Sequence, residues 1–416
     1  MKNLIIVEPT GIEINAGNFK SGLTKGVVRK SEKMKIAIIG AGIYGCHLAL
    51  ELNADGHSID LYDMANDLFS GASTHNSFRI HKGYHYPRSA KTREMCKIDE
   101  KRFIKHYPHL VSAEKNNPKI FCVANDEKTL IDFNTLKIIM RGTGLPFHEL
   151  RKDELNQMGF ANVEGGFRVC ESIFLVDKAK KWFKQNLINK GVQLKLNHYV
   201  ARLKSTSQDQ LTIDHQRYDY VINCTYNQSF QHHAQKHRHY FDLCFYLVVA
   251  SKKPKKDCKT MSFGIFDGAY PSLEPYGYEQ LPEQYRQYGD RQIFQIFHVK
   301  HTSVSQYIDI AAARAAINAG LSAYQVSELT EKILQDTRNF YPNFDNEFKV
   351  IGHGCALKTK VHDLSDTRPL MVFVDKKIHP RFIQVFSSKL TSIFSAKDLV
   401  MQLMEKAPRH MNLLAA

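Results

Sequence analysis

The sequence lacks any long apolar run. No segment approaches the roughly 20 consecutive apolar residues that a helix needs to cross a bilayer, and the N-terminal run LIIV is too short for the apolar part of a secretory signal. Cysteine is also sparse, with eight residues and no CxxC pair. These absences disfavour a membrane span, a disulfide scaffold and structural zinc. They predict reduced thiols, a cytoplasmic location and at most a peripheral contact with a membrane.

Internal repeats and low-complexity tracts are missing as well. The 416 residues are 43% hydrophobic and 24% charged, which is typical of a globular chain long enough for two or three domains. Lys and Arg number 57 against 42 Asp and Glu, a net charge of +15 that favours anionic substrates, phosphorylated cofactors or an anionic surface. Since no stacking aromatics or known module accompany this charge, nucleic-acid binding is not predicted.

A glycine-rich turn follows the first clear strand pattern, IAII. Gly40 allows the tight turn, Gly42 lets a pyrophosphate approach the backbone, and Gly45 lets the next helix pack on the strand. That helix, which opens at Ile43 and Tyr44, presents its positive end to phosphate. A second strand, SIDLYD, ends in Asp63, whose carboxylate is placed to accept a hydrogen bond from a ribose hydroxyl. The pattern predicts a dinucleotide site made by these six residues.

The segment after Asp63 favours FAD over NAD. The run FSGASTHNSFRIHKGYHYPRSAKTREMC is rich in small and hydroxyl residues, then in His, Arg and Tyr. Here the chain resembles the glycine oxidase and D-amino-acid oxidase superfamily of FAD enzymes, which includes the glycerol-3-phosphate dehydrogenases. More narrowly, NSFRIHKGYHYPRSAK is similar to a segment of L-2-hydroxyglutarate dehydrogenases, which carry Gly and an apolar residue where this chain has Phe78-Arg79. The resemblance implies non-covalent FAD, contacted also by Ser73, Asn76 and Ser77.

Two later segments extend the resemblance. In the superfamily, the residue that matches Val200 contacts the adenine through its backbone, and the strand that matches YVINCT enters an Ala-x-Gly turn, where this chain has Thr225-Tyr226-Asn227. The C-terminal RPLMVF and RFIQVFSSKLTSIF are similar to segments of glycerol-3-phosphate dehydrogenases, with serines in place of two glycines. The resemblance implies a second helix N-terminus beside the flavin ring. The cofactor residues implied there are Ser388, Lys389 and Leu390.

The resemblance also implies an architecture. We expect an α/β chain, α+β overall, in which a Rossmann-like FAD-binding domain (34–100, 165–235 and 345–416) is interleaved with an antiparallel-sheet substrate domain (101–164 and 236–344). The runs LCFYLVVA, MSFGIFDG and RQIFQIFHVKH predict strands of that sheet, and the run from DIAAARAA to RNFYP predicts helix closed by Pro342. Residues 1–33 lie outside this pattern, as a flexible extension, an upstream start or a functional arm.

Oxidation by a flavin needs a group that accepts a proton from the substrate. His81 and His85 are candidate bases because imidazole titrates near neutrality, although either is also consistent with a structural histidine. Arg368, before Pro369, is the main candidate for holding a substrate carboxylate or phosphate. Three further cations could do the same or lie on the surface: Arg79, Lys82 and Arg88.

Two questions stay open at this stage. The histidines of QHHAQKHRH (His232, His233, His237 and His239) could ligate a metal, but no Cys or carboxylate accompanies them at ligand spacing, which favours a solvated loop. The sequence favours an FAD-dependent oxidoreductase that oxidises a CH–OH or CH–NH group of a small, anionic or sugar-derived substrate and passes electrons to oxygen or a quinone. The alternative is an FAD- or nucleotide-binding protein without redox turnover.

Overall fold

The computed structural model describes residues 6–7, 13–14, 33–113, 116, 118–207, 210–231, 239–257, 261–362 and 369–406. The strands are β1 (Ile6–Val7), β2 (Glu13–Ile14), β3 (Lys35–Ile39), β4 (Ser58–Tyr62), β5 (Pro118–Ala124), β6 (His148–Leu150), β7 (Val163–Cys170), β8 (Gln193–Lys195), β9 (Lys204–Ser207), β10 (Gln210–Ile213), β11 (Gln216–Tyr218), β12 (Tyr220–Asn223), β13 (His239–Pro254), β14 (Ser262–Phe266), β15 (Pro271–Pro275), β16 (Arg291–His298), β17 (Ser303–Tyr307), β18 (Phe348–Val361), β19 (Leu370–Val374) and β20 (Phe382–Ser387). The α-helices are α1 (Ile43–Ala54), α2 (Ala90–His106), α3 (Phe133–Thr143), α4 (Lys152–Gln157), α5 (Val176–Asn189), α6 (Ile310–Ala319), α7 (Ala323–Phe340), α8 (Phe344–Glu347) and α9 (Ile393–Lys406). Within the described ranges, no helix combines the length and apolar character needed to cross a membrane.

The chain divides into two compact units built from separated segments. Unit 1 is Met1–Ser70, Trp182–Arg238 and Thr367–Ala416, and unit 2 is Gly71–Lys181 and His239–Asp366. The first crossing between them therefore follows Ser70, whereas the sequence analysis placed it after residue 100. The assignment of one unit to the cofactor and the other to the substrate stays a prediction. In the N-terminal segment, β1 and β2 pair with each other as an antiparallel ladder.

Unit 1 contains a mainly parallel sheet with the order β19-β20-β12-β3-β4-β8. β3 pairs in parallel with both β4 and β12, and only β19, at the edge, runs antiparallel to its neighbour β20. The helix α1 connects β3 to β4, as the glycine pattern predicts, and contacts β4 and α9. Parallel strands place their carboxyl ends at one edge, so the turn after β3 and the residues after β4 and β12 lie close together.

Unit 2 contains a larger sheet with the order β17-β13-β16-β15-β14-β5-β7-β6, to which β18 adds by pairing with β13. The predicted strands LCFYLVVA, MSFGIFDG and RQIFQIFHVKH lie in β13, β14 and β16. Most pairs are antiparallel, as expected, but β14 and β5 pair in parallel. The predicted helical run forms α6 and α7, and α7 ends at Phe340, two residues before Pro342.

The large sheet has two unlike faces, because successive side chains of a strand point to opposite sides. Leu247 and Val249 of β13 belong to an apolar core that includes Ile333 and Leu334 of α7. Tyr246 and Val248, which alternate with these positions along the strand, belong to the other side. The register of the strands brings a set of polar side chains to that side, which we call the polar face: Lys119, Tyr246, Ser262, Glu274, Gln295 and Lys358.

Candidate active site

The glycine turn of unit 1 is packed backbone against backbone. Gly40 has a φ of 102°, in the region that favours glycine, and its N–H donates to the Tyr62 carbonyl at 2.7 Å. A Cβ on Gly40 would lie 2.6 Å from the Cys224 carbonyl oxygen, and a Cβ on Gly45 would lie 1.8 Å from the Gly40 carbonyl oxygen. Neither position has room for a side chain. Gly42 is the N-cap of α1 and brings no side-chain acceptor to the helix end, so this turn suits a phosphate.

Asp63 lies directly after β4, beside the turn. One oxygen, Oδ2, accepts from the Ala41 N–H at 2.6 Å, and Oδ1 accepts from the Ala65 N–H at 2.8 Å. Burial raises the pKa of the Asp63 carboxyl, while these two N–H bonds oppose that rise. The carboxylate is thus held in one orientation at the end of the strand. Turn, helix end and carboxylate together fit the pyrophosphate and ribose of a dinucleotide.

The C-terminal cofactor residues differ from the expectation. The helix α9 begins at Ile393, so Ser388, Lys389 and Leu390 lie in the connection before it and not in its first turn. Lys389 is buried, which lowers the pKa of its ammonium group, and its carbonyl accepts from the Tyr44 hydroxyl at 2.5 Å. This bond ties the connection to the first turn of α1, where the glycine site lies.

Val200 and the turn after β12 are the two remaining positions of unit 1 that the resemblance singled out. Val200 is buried in a core cluster with Tyr62 and Val221. After β12, where the superfamily has an Ala-x-Gly turn, Tyr226 and Asn227 have φ values of 58° and 57°, and the Tyr226 ring stacks on Phe386. The left-handed backbone that glycine would favour is therefore kept without glycine.

The remaining predicted cofactor residues belong to unit 2. Ser73 lies in a short 3-10 turn, Ala72–Thr74. The Asn76 amide donates to the carbonyls of Ala72 and Ser73 at 3.2 and 3.0 Å, and its oxygen accepts from the Phe78 N–H at 2.7 Å. Asn76 thus fixes the backbone of its own segment. The Ser77 hydroxyl lies 3.4 Å from Nε2 of His81.

The two candidate bases lie together in unit 2. The rings of His81 and His85 stack with 5.6 Å between centroids, and His85 also contacts the Phe121 and Phe266 rings. Nδ1 of His81 lies 3.6 Å from a carboxylate oxygen of Glu171. Arg368 and three of the loop histidines, His232, His233 and His237, lie outside the described residues; His239, the last of the four, begins β13 and is buried.

A buried charge cluster occupies one end of the polar face. The Nε of Arg79 lies 3.1 Å from Oε2 of Glu274, and Lys119 pairs with the other oxygen of the same carboxylate. The side chains of Arg79 and Lys119 are fully buried. Arg79 is therefore committed to Glu274, and we do not retain it as a ligand for a substrate carboxylate.

The other two proposed cations are also paired. Lys82 lies 3.8 Å from a carboxylate oxygen of Glu100, and Arg88 lies 2.6 Å from one of Asp267. Arg88 is partly exposed, so its ion pair is of the kind that contributes little to stability. Because both cations already have a carboxylate partner, neither is a favoured substrate ligand.

The polar face also presents residues that the sequence analysis missed. Nδ1 of His75 lies 2.8 Å from the Tyr246 hydroxyl, and burial lowers the pKa of His75, with Lys358 adding to that effect. The Gln295 amide donates to the Asn76 carbonyl at 3.2 Å, whereas its buried Oε1 has no hydrogen-bond donor among the described residues. A buried acceptor without a donor is costly unless a ligand or water supplies one.

Lys358 completes this group. Its Nζ lies 5.1 Å from the centre of the Phe297 ring, and burial lowers the pKa of its ammonium group. Asp242, its register partner across the ladder, is instead paired with Lys360 and the Ser303 hydroxyl. No carboxylate among the described residues forms an ion pair with Lys358. Its sequence, ALKTK, carries no signal of this, because only the strand register shows what faces the lysine.

A second histidine cluster lies in unit 2, between β16, β17 and α7. Nε2 of His298 and Nε2 of His301 lie 3.0 and 3.3 Å from the same oxygen of Asp336. Nδ1 of His298, however, accepts from the backbone N–H groups of Lys300 and His301, both at 3.2 Å. The neutral ring therefore carries its proton on Nε2, the atom that a metal would need unprotonated. We interpret the cluster as a polar contact between neutral imidazole rings and the Asp336 carboxylate that closes a turn.

Comparison with known proteins agrees with the site in unit 1. Residues 35–263 match the family described as FAD dependent oxidoreductase (DAO). The FAD-dependent monooxygenase FPY4 of Fusarium mangiferae is 29% identical over 377 residues, which are 89% of this chain and 91% of the relative. The FAD-dependent monooxygenase kojA of Aspergillus flavus is 26% identical over 399 residues, which are 92% of this chain and 88% of the relative.

Solved structures show the same fold at low identity. An L-α-glycerophosphate oxidase from Mycoplasma pneumoniae, solved with FAD bound, superposes with a TM-score of 0.67 at 13% identity and covers 90% of this chain and 95% of its own. A glycine oxidase from Geobacillus kaustophilus gives 0.64 at 13% identity and covers 92% and 98%. The chain belongs to the FAD-dependent oxidoreductase (DAO) family, and it is an enzyme with FAD as its cofactor.

Proposed function

We propose that this enzyme oxidises a CH–OH or CH–NH group of a small anionic or sugar-derived molecule, which binds on the polar face of unit 2. When bound, FAD supplies a hydride acceptor. The protein must then hold the substrate carbon in place and accept the proton of its hydroxyl or amine. Oxygen or a quinone is the electron acceptor that we expect.

One observation carries the substrate assignment. Lys358 is a partly buried cation that forms no ion pair with a carboxylate of the described residues and whose pKa is lowered by burial, and Gln295 offers a buried acceptor without a donor among those residues. An anionic group would supply the charge that Lys358 lacks. A substrate hydroxyl or amine would supply the donor for Gln295. A hydroxy acid, an amino acid or an acidic sugar has both groups in one molecule.

His81 is the favoured base. Its Nε2 is the ring nitrogen that faces the Ser77 hydroxyl, while its Nδ1 faces a carboxylate. This orientation leaves Nε2 to take up the substrate proton. The His75–Tyr246 pair does not charge readily, since burial lowers the pKa of His75 and raises that of Tyr246, so we assign these two residues to hydrogen bonding.

A substrate panel tests this proposal. The purified flavoprotein is mixed without oxygen with hydroxy acids, amino acids and sugars, and bleaching of the flavin absorbance is followed. We expect an anionic member to reduce the flavin. Replacing Lys358 by Met should lower kcat/KM for that substrate at least about tenfold with FAD retained, while Lys349→Met, on the same strand, should not. Reduction by neutral sugars alone, unaffected by Lys358→Met, would overturn the anionic assignment.

The named relatives favour a second candidate, a monooxygenase. Both are called FAD-dependent monooxygenases and align over about nine-tenths of this chain. Such a reaction needs an external reductant, for which NADH and NADPH are the probes, and it places one atom of O₂ in the product and the other in water. Substrate-dependent consumption of NADH or NADPH with label from ¹⁸O₂ in the product would favour this candidate. Anaerobic reduction by substrate alone would favour oxidation of a CH–OH or CH–NH group.

The cellular setting is also a proposal. The described cysteines form no disulfide with one another, in keeping with the predicted cytoplasmic location. Any membrane contact that serves a membrane quinone would be peripheral in this proposal. Fractionation of cells that express the full chain, with and without a high-salt wash, would test both statements.

A further inference from the structure

Glu171 follows β7 directly and is fully buried. Its Oε1 accepts from the Lys82 N–H at 2.9 Å, its Oε2 lies 3.6 Å from Nδ1 of His81, and its carbonyl accepts from the Arg79 guanidinium at 3.3 Å. The residue is therefore attached at three points to the segment that carries His81. Its carboxylate cannot turn away from the imidazole without breaking the bond to Lys82.

The neighbouring cations form their direct ion pairs with a different carboxylate, whereas the Glu171 carboxylate faces His81. Arg79 and Lys119 both make their direct ion pairs with Glu274, one cation to each oxygen. Although burial raises the pKa of Glu171, the positive charges of His81, Arg79 and Lys119 outweigh this and hold it at about 2. Glu171 is therefore negatively charged at neutral pH, and its carboxylate lies 3.6 Å from Nδ1 of His81.

We propose that Glu171 is a positioning residue for His81: its carboxylate keeps the ring proton on Nδ1 and so leaves Nε2 unprotonated, as the atom that accepts the substrate proton. The inference rests on the proposed function and adds to it a residue outside the predicted site. It follows from general physical chemistry, since a buried carboxylate beside one imidazole nitrogen selects the tautomer and stabilises the imidazolium that forms.

The proton balance is simple. The proton of the substrate hydroxyl or amine moves to Nε2 of His81, while the hydride leaves the substrate carbon for the flavin. Nδ1 keeps its proton throughout, and Glu171 remains a carboxylate. The imidazolium that results is stabilised at 3.6 Å by this negative charge. Release of the Nε2 proton to solvent completes the step.

Other aromatic and charged groups near His81 also influence the pH at which its ring titrates. His85 stacks on its ring, and Tyr86 contacts it edge-on. Lys82 is next to it in the chain and pairs with Glu100 of α2. Arg79, Lys119 and Glu274 form the charge cluster behind Glu171. The Glu171 variants below change only that carboxylate and leave these groups in place.

The test is a pH titration of the protein labelled with ¹⁵N-histidine, read by NMR in the FAD-bound enzyme without substrate. His81 is assigned by the signal that disappears in His81→Gln. We expect Glu171→Gln to lower the titration midpoint of His81 by about 1 pH unit or more and to weaken the preference for the Nδ1–H tautomer. Glu100→Gln, which removes an equal charge from the neighbouring Lys82 pair, should change the midpoint far less.

A second variant covers the case in which Glu171→Gln does not fold. Glu171→Asp keeps the charge but withdraws it by one methylene, so a smaller shift in the same direction is expected. An unchanged midpoint and tautomer in Glu171→Gln, or in Glu171→Asp where Gln does not fold, would overturn the inference. The substrate panel described above tests the proposed reaction separately. If the NMR shift is found but no substrate reduces the flavin, the proposed reaction fails and the Glu171–His81 coupling stands.

Discussion

The glycine turn of unit 1 and the polar face of unit 2 are built from different materials. The turn is made of backbone: Gly40 and Gly45 approach carbonyl groups so closely that no side chain fits. The polar face is made of long charged side chains, such as Arg79 and Lys119, that neutralise one carboxylate away from water. The first site depends on the absence of side chains and the second on the balance of charges.

This difference determines how each region can fail. A site made of backbone loses its ligand when a substitution adds volume. It is less sensitive to the charge of nearby side chains, because the ligand contacts N–H groups and a helix dipole. A buried charge site is damaged by removal of one charge, since the partner is left unpaired in a medium of low polarity. Substitutions that keep volume but change charge, and the reverse, therefore separate the two regions.

Adding one methyl group to the turn should have the largest effect. In Gly45→Ala, the new Cβ would lie 1.8 Å from the Gly40 carbonyl oxygen, so the turn or the start of α1 must move. We expect loss of copurified FAD and destabilisation of about 5 kcal/mol, measured by flavin absorbance and by urea unfolding. The control is Gly142→Ala in α3, where a Cβ meets no atom within 4 Å.

That control should behave in the opposite way, because alanine in a helix is favoured over glycine. We expect Gly142→Ala to keep its FAD and to gain about 0.5 to 1 kcal/mol of stability. Full FAD content in Gly45→Ala would contradict the assignment of the turn as a backbone site.

Neutralising the shared carboxylate should have the next largest effect. Glu274→Gln keeps the volume but leaves the buried Arg79 and Lys119 without their direct ion-pair partner, at a cost of about 3 to 5 kcal/mol. The free energy of unfolding in urea measures this. Glu279→Gln removes a carboxylate from an exposed pair with Lys178 and should cost less than about 0.5 kcal/mol. Equal costs for both variants would mean that the cluster is hydrated.

The same contrast explains what could be predicted from the sequence. The glycine turn and Asp63 are contiguous in the chain, and their spacing follows from local geometry, so the pattern predicts the βαβ unit and FAD. The polar face joins residues such as Tyr246, Gln295 and Lys358, which only strand register brings to one side. No local pattern contains that information.

Arg79 shows most clearly what the sequence alone does not predict, which is the partner of a charged residue. From the sequence, an arginine beside the candidate bases favours a substrate ligand, because guanidinium groups bind carboxylates well. The structure places its partner, Glu274, far away in the chain, on the polar face of unit 2. Whether a charged residue serves a ligand or the fold depends on such distant partners. The sequence analysis left open whether Arg79 holds a substrate anion or lies on the surface, and its buried ion pair with Glu274 is neither of these.

Acid should affect unit 2 through His298. Burial lowers the pKa of this ring to about 4 from a usual 6.5, so the unfolded chain binds more protons between those values. Stability is then complete above pH 6.5 and falls as the pH drops toward 4, by about 2 kcal/mol. Urea unfolding at several pH values measures this slope.

The matched variant is His298→Asn. The Asn side-chain oxygen can accept from the N–H groups of Lys300 and His301 much as Nδ1 does, but it does not titrate. We expect a shallower loss of stability between pH 6.5 and 4 in this variant than in the unmodified enzyme. A slope that is the same in both would assign the acid sensitivity to other groups.

The smallest effect should come from Asp63, a charged side chain beside the glycine turn. Asp63→Asn keeps the shape of the carboxylate, but an amide offers one oxygen where the carboxylate offers two, and the N–H groups of Ala41 and Ala65 each use one. One of these N–H groups would then face an NH₂ group. We expect FAD to bind about tenfold more weakly, or about 1.4 kcal/mol, with little change in fold. Titration of the apoprotein with FAD measures this, and Asp67→Asn, which removes the negative charge that pairs with Lys184, is the control. If Asp63→Asn instead abolished binding as completely as Gly45→Ala, charge rather than backbone would hold the cofactor, and the contrast between the two regions would not stand.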